Sequence, residues 1–143
     1  MISFIVYTVP VAMPRQRNRI MYIGGKPISQ NYTPGKHPVN AFKSAVQLSA
    51  RVAYDGPPLE GPVYLQATFV LPRPQKYCRK KDDPGRLWCI AKPDMDNLVK
   101  ALKDALSKLV FKDDSQVCRT MQGKFYAARD EQPCVEVQIG VID

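Results

Sequence analysis

Two periodicities alternate along this chain. Apolar and polar positions exchange through residues 3–9, the rhythm of a first strand, and Pro10 and Pro14 break it. In "RIMYIGGKPISQN", residues 19–31, two such runs meet at Gly24-Gly25, a pair that supplies the positive φ values of a tight hairpin turn. "YTPGKHP" then reads as loop. Residues 39–53 change to the helical rhythm, with Phe42, Val46 and Ala50 on one stripe and Ala45 and Leu48 beside it. After the punctuation of "DGPPLEGP", residues 63–71 return to strand-like alternation with β-branched and aromatic side chains. Residues 72–92 have no period. The clearest helix follows: Met95, Leu98, Val99, Leu102, Ala105, Leu106 and Leu109 trace one apolar stripe, while Asp96, Asn97, Lys100, Lys103, Asp104 and Ser107 fall opposite. Residues 116–127 and 135–142 read as two final strands joined by the turn-like "ARDEQP".

This order of elements predicts an α/β (α+β) fold, one domain over residues 1–143. The expected architecture is a mixed or antiparallel sheet of about four to five strands, built from antiparallel pairs, with two helices packed on it. No internal repeat is visible. At 143 residues, 45% of them hydrophobic, the chain can bury a real core and is no disordered tail.

Charge narrows the function. The formal net charge is +8, and its placement says more than its size: from Met1 to Tyr54 there is no Asp or Glu, yet Arg15, Arg17, Arg19, Lys26, Lys36, Lys43 and Arg51 all fall there. A field of one sign over that much chain favours a polyanionic partner. No apolar run approaches the roughly 18 residues of a spanning helix, and the alternating start lacks the basic region and long apolar stretch of a signal peptide. That leaves nucleic acid rather than membrane, and the cytoplasm as the expected location. The cysteines agree. Cys78, Cys89, Cys118 and Cys134 form no C-x-x-C pair, and with His37 the sole histidine a zinc site has little support. Cys78 and Cys89 flank a basic loop, where free thiols stand beside a loop-closing disulfide or metal clip as the alternative.

That loop carries Arg73, Lys76, Arg79, Lys80, Lys81 and Arg86, with Tyr77 and Trp88 among them. A long aperiodic segment in a compact domain is functional or mobile. These residue types suit a surface that grips phosphates and stacks on bases; a solvated linker is the plainer reading. With Arg15, Arg17 and Arg19, the candidate DNA contacts are Lys76, Arg79, Lys80, Lys81 and Arg86.

Against this basic background stands "KPDMDNLVKALKDAL", which opens a helix with Asp94 and Asp96, and then "FKDDS", with Asp113 and Asp114. Each pair alone has a structural explanation, as helix caps facing the dipole or as a turn. Together with Lys100, four residues beyond Asp96, they make a consistent set. If the strand after "DDSQ" runs back past the helix start, Asp113 or Asp114 approaches Asp94 and Asp96. Carboxylates brought together need a cation between them, and hard oxygen ligands select Mg²⁺ or Mn²⁺. Such an ion polarises a phosphodiester. Lys100 would then orient a carboxylate or neutralise charge on the phosphate, with a surface ion pair as its alternative.

These residues resemble the signature of the RusA family of Holliday junction resolvases, common in phages and prophages. Lys92, Pro93, Asp94, Asp96, Asn97, Leu98, Lys100, Asp104, Ala105, Leu106, Asp113, Asp114 and Gln116 match its pattern. The first strand, a Pro/Arg-rich stretch, a "YTP" before a helix and the final strands match more loosely. "VAMPRQRNR" differs from the family's commoner form, and the loop between Cys78 and Cys89 has no counterpart in it. The resemblance implies a Mg²⁺-dependent endonuclease acting as a homodimer on branched DNA, the four-way junction, with no small-molecule cofactor. It implies Asp94, Asp96 and Asp114 as metal ligands, Asp113 close by, and Lys100 as a catalytic helper. Scission by water would leave 5′-phosphate and 3′-hydroxyl ends. Two alternatives stay open in the sequence: a nuclease for other branched or fork DNA, and a basic nucleic-acid-binding protein without catalysis.

Overall fold

The computed structural model describes residues 1–15, 17–32 and 35–143. Its elements, in chain order, are β1 (Ile2–Val6), β2 (Arg17–Ile23), β3 (Lys26–Tyr32), α1 (Pro38–Ala53), β4 (Val63–Leu71), β5 (Leu87–Trp88), α2 (Met95–Leu106), β6 (Val117–Tyr126) and β7 (Cys134–Val141). Gln16, and Thr33 and Pro34 of the expected loop, lie outside the described residues.

The alternation in β4 decides the architecture. Val63, Leu65, Ala67 and Phe69 are buried on one face, beside Val135, Val137 and Ile139 of β7. Both helices cover that face: Val39, Phe42, Val46 and Ala50 of α1 and Leu98, Ala101, Leu102, Ala105 and Leu106 of α2 close the core. Burying a Leu or Phe side chain of this kind stabilises the fold by about 1.5–3 kcal/mol. The opposite face carries half-buried Tyr64, Gln66 and Thr68. The result is a mixed α+β fold with a five-stranded sheet in the order β1-β7-β4-β6-β5.

The expected antiparallel pairing is only partly found. β6 and β7 follow one another through a short turn, yet they do not pair. β4 lies between them, antiparallel to β7 and parallel to β6. A parallel pair needs a long crossover, and the segment holding α2 provides it. Leu48 also departs from expectation: it is 68% exposed, on the outer side of α1. Leu109 falls beyond the end of α2, where Lys108 takes a positive φ of 70° and turns the chain. α1 begins as its sequence directs, with Pro38 in the first turn and His37 Nδ1 accepting the Val39 amide at 3.1 Å.

The hairpin β2–β3 forms a separate two-stranded sheet. Gly24 and Gly25 take φ of 59° and 78° at its tip, as the pair predicts. The aperiodic stretch 72–92 is an organised loop. Arg73 donates to the carbonyls of Tyr77 at 2.9 Å, Gly85 at 2.8 Å and Asp83. Arg129 donates to the carbonyls of Arg79 and Asp82 from outside it. Cys78 is exposed and Cys89 buried, and both are free thiols, as are exposed Cys118 and buried Cys134. Among the described residues no helix is long and apolar enough to cross a membrane.

Candidate active site

The apolar stripe of α2 must face the core, and this alone forces Asp96, Lys100 and Asp104, spaced four apart, onto the open side. Asp94 is the N-cap, in extended conformation after the cis Lys92–Pro93 bond. Its side chain makes no capping hydrogen bond. Helix capping therefore does not account for Asp94, and its exposed carboxylate is available for another partner. Asp96 stands in the first turn, also exposed.

After α2 the chain turns back and brings the second acidic pair to the same side. A short 3-10 turn, Asp114–Gln116, precedes β6. Gln116 fixes it: Oε1 accepts the amides of Lys112 at 2.7 Å and Asp113 at 2.9 Å, while Nε2 donates to the carbonyls of Leu59 at 2.9 Å and Gly61 at 3.0 Å. The two aspartates divide here. Asp113 is the N-cap, and its carboxylate accepts the Ser115 amide at 3.1 Å and the Ser115 hydroxyl. That hydroxyl, then the amide, holds the Asp113 carboxyl below its ordinary range. Asp114 instead lines the open surface.

Two adjoining clefts meet at Asp114 and Lys100. The smaller, about 320 Å³, is lined by Asp96, Lys100, Lys103 and Asp114, with Thr120 and Gln122 of β6. The larger, about 660 Å³, is lined by Met13, Pro14, Arg15, Asn97, Lys100, Asp104 and Asp114. The Met13 amide donates to the Asn97 carbonyl at 2.9 Å, which carries the N-terminal segment, and Arg15 with it, to the first turn of α2. Asp104 is paired with Lys43 of α1 at 2.6 Å.

β6 supplies residues that sequence reasoning missed. Thr120, Gln122 and Lys124 lie opposite Leu65, Ala67 and Phe69 of β4, on the face that β4 buries. The Lys124 ammonium donates to the carbonyls of Ala91 at 2.6 Å and Pro93 at 2.8 Å, the residues that lead into Asp94. The available signal is polar residues at every second position of a strand. Recognising it requires knowing that β6 lies beside a buried strand.

Carboxylates with a nearby hydroxyl and amide form an all-oxygen donor set of the kind that suits Mg²⁺ or Mn²⁺. Among the described residues, no three His, Cys, Asp or Glu side chains converge closely enough to enclose a metal ion. Asp96 and Asp114 share a cleft; Asp94 stands at its helix end, outside the lining of both. Mg²⁺ commonly takes one or two carboxylates and completes its shell with water and substrate phosphate, so this open set fits it.

The basic residues are distributed unequally. Arg15 lines the larger cleft. Arg17 opens β2, and its side chain lies outside the described part of the structure. Arg19 donates to Gln30 across the hairpin at 3.0 Å. Lys80 and Lys81 are exposed, Lys76 sits 5.1 Å from the Tyr77 ring centre, and Arg79 pairs with Asp82 at 3.3 Å. Of the loop's rings, Tyr77 packs on Tyr126, whereas Trp88 stacks on Phe125 with 71% of its surface exposed.

Arg86 is engaged internally. It bridges Glu131 at 2.6 Å and Glu136 at 3.0 Å. The Arg86 hydrogen bond holds the Glu131 carboxyl below its ordinary range. We expect Arg86→Met to lower stability by about 1–2 kcal/mol, because it leaves two carboxylates without their shared donor. A depressed carboxyl contributes stability above its unfolded pKa and loses it as pH falls through the folded value. The difference from wild type should therefore be full at neutral pH and shrink below about pH 4. Urea melts across pH measure it; an unchanged melt with a flatter salt dependence of DNA binding would assign Arg86 to phosphate instead.

The family model described as endodeoxyribonuclease RusA matches residues 9–140, and the chain belongs to that nuclease family. It is also similar to an uncharacterized protein, YqaN of Bacillus subtilis (strain 168), at 38% identity over 143 residues, covering 96% of this chain and 94% of that one.

Proposed function

We propose that this protein is a divalent-cation-dependent endonuclease that resolves four-way DNA junctions as a homodimer. The observation that carries the reading is the lining of one cleft by Asp96, Asp114 and Lys100, near the helix end where the Asp94 side chain makes no capping hydrogen bond. Acidic residues in a basic surface repel phosphate and are poorly placed for binding alone. With a cation among them they become the point where one phosphate is held.

Asp96 and Asp114, which line the smaller cleft, would hold the ion, Mg²⁺ or Mn²⁺, with Asp94 at the adjoining helix end as the third acid of the set. When bound, it supplies Lewis-acid polarisation of the phosphodiester and a lowered pKa for the attacking water. Lys100, in the lining of both clefts, opposes the negative charge that grows on the phosphate as water attacks. The P–O3′ bond breaks, leaving a 5′-phosphate and a 3′-hydroxyl. Arg15 binds a neighbouring phosphate and fixes the register of the strand, and exposed Lys76, Lys80 and Lys81 extend the grip. A four-way junction has approximate two-fold symmetry and needs two matched nicks, which a two-fold dimer provides with two equivalent sites.

The test is nicking of a synthetic four-way junction in Mg²⁺, with fork and linear duplex as controls. Wild type should give paired symmetric nicks in the junction alone, and Asp94→Asn should give none. Equal cutting of the fork would widen the substrate to branched DNA in general. Tight junction binding by wild type without nicks would overturn the nuclease reading.

A further inference from the structure

The hairpin β2–β3 stands apart from everything described so far. Among the described residues it makes no extensive contact with any other element. Its apolar side chains are therefore uncovered: Ile20 is 65% exposed, Tyr22 73%, Ile23 60%, Ile28 44% and Met21 37%. The strand register puts Ile20 and Tyr22 on one face with Pro27, and Met21 and Ile23 on the other with Ile28. Both faces thus carry exposed apolar side chains near the Gly24-Gly25 tip, beside Ser29 on the first and Lys26 on the second. A lone two-stranded hairpin is marginal in water, and a bare apolar patch at the end of one marks an interaction site.

We infer that this hairpin is a wedge for the branch point of DNA, its apolar faces entering between unstacked bases. The inference rests on the endonuclease reading above. The occupant follows from charge and position. The whole segment from Met1 to Tyr54 lacks an acidic residue, and the hairpin carries Arg17, Arg19 and Lys26. Nothing on it repels phosphate. Its base is joined to the candidate site, because Arg15, two residues before β2, lines the larger cleft. The seven residues of β2 give the ribbon a length of about 20 Å. Intact duplex offers such a ribbon only grooves and phosphates. A branch point exposes base faces, the apolar surface that Tyr, Ile and Met can cover. The wedge would make recognition depend on DNA structure rather than sequence.

The test uses the full-length protein with Tyr22→Ser and Ile23→Ser combined, Ca²⁺ in place of Mg²⁺, and a four-way junction carrying 2-aminopurine beside the branch point. Wild type should raise the 2-aminopurine fluorescence and prefer junction over duplex. The double variant should keep its melting temperature, since the hairpin is outside the core, lose the fluorescence rise, and lose about tenfold or more of the preference. If the variant retains both, the wedge is refuted while wild-type nicking in Mg²⁺ leaves the endonuclease standing. If the substitutions change the oligomeric state in light scattering and leave the preference intact, the hairpin belongs to a second copy of the chain, and the inference falls. If wild type neither prefers nor nicks the junction, the endonuclease reading fails first and takes the wedge with it.

Discussion

Asp96→Asn is expected to reduce junction nicking about a thousandfold or more, a loss of several kcal/mol of transition-state stabilisation, while junction binding stays intact or tightens. The substitution is nearly isosteric and the side chain is exposed, so the fold has little to lose. One less carboxylate in the first turn of α2 weakens the favourable dipole term by about 0.3–1 kcal/mol at most. It also removes a charge that repels DNA. Asp114→Asn should behave likewise, since Asp114 lines the same cleft. Asp113→Asn supplies the contrast: an amide oxygen can still accept from Ser115, which is where the Asp113 carboxylate is engaged, so nicking should stay within about tenfold of wild type. Single-turnover nicking and gel-shift titration in Ca²⁺ distinguish these. Loss of binding along with cutting in Asp96→Asn, with a lowered melting temperature, would make Asp96 a structural residue.

The second large effect is expected at Lys124. Its ammonium satisfies the carbonyls of Ala91 and Pro93, which no helix or strand ladder provides for, and so pins the turn that presents Asp94. Lys124→Met should lower stability by about 1.5–3 kcal/mol, the range for hydrogen bonds to a charged donor. Nicking should fall about 10- to 100-fold, as a displacement of an ångström at a reacting group does, and the Mg²⁺ midpoint should rise. Lys124→Arg, which can reach two carbonyls, should recover the Mg²⁺ midpoint in part. A Met variant that is less stable but has an unshifted Mg²⁺ midpoint would confine Lys124 to holding the fold.

How far these residues could be read in advance depends on how local their signals are. The α2 stripe, the β4 alternation and the Gly24-Gly25 turn are each complete within a few neighbouring residues, and each is found where the pattern puts it, apart from Leu109 past the end of α2. β5 is two residues long and exists because Trp88 and Leu87 meet Phe125 and Tyr126, far along the chain. The short "ARDEQP" turn resembles a hairpin connection, but β4 occupies the place between the strands it joins. Asp94, Asp96 and Asp114 were legible as candidates because acids are conspicuous in a basic chain. The residue pattern alone left Asp113 and Asp114 equivalent, the family resemblance set Asp113 beside the ligands, and the Ser115 and Gln116 bonds give it a capping role. Lys124 had no local sign, because its partners are backbone carbonyls that any sequence possesses.

The position of β4 also governs the order in which the molecule can assemble. Val63 pairs with Val117 on one side and Val141 on the other, both far downstream. Such distant pairings are slow to form, because the intervening loop must close before any contact is gained. Until β6 has docked on β4, Asp114 has no fixed relation to Asp96, and Lys124 cannot secure the approach to Asp94. Helix α2 can form early from its own periodicity, but the clefts cannot. A chain still being synthesised thus carries its acids as unassembled parts, and closure of the sheet is what arms it.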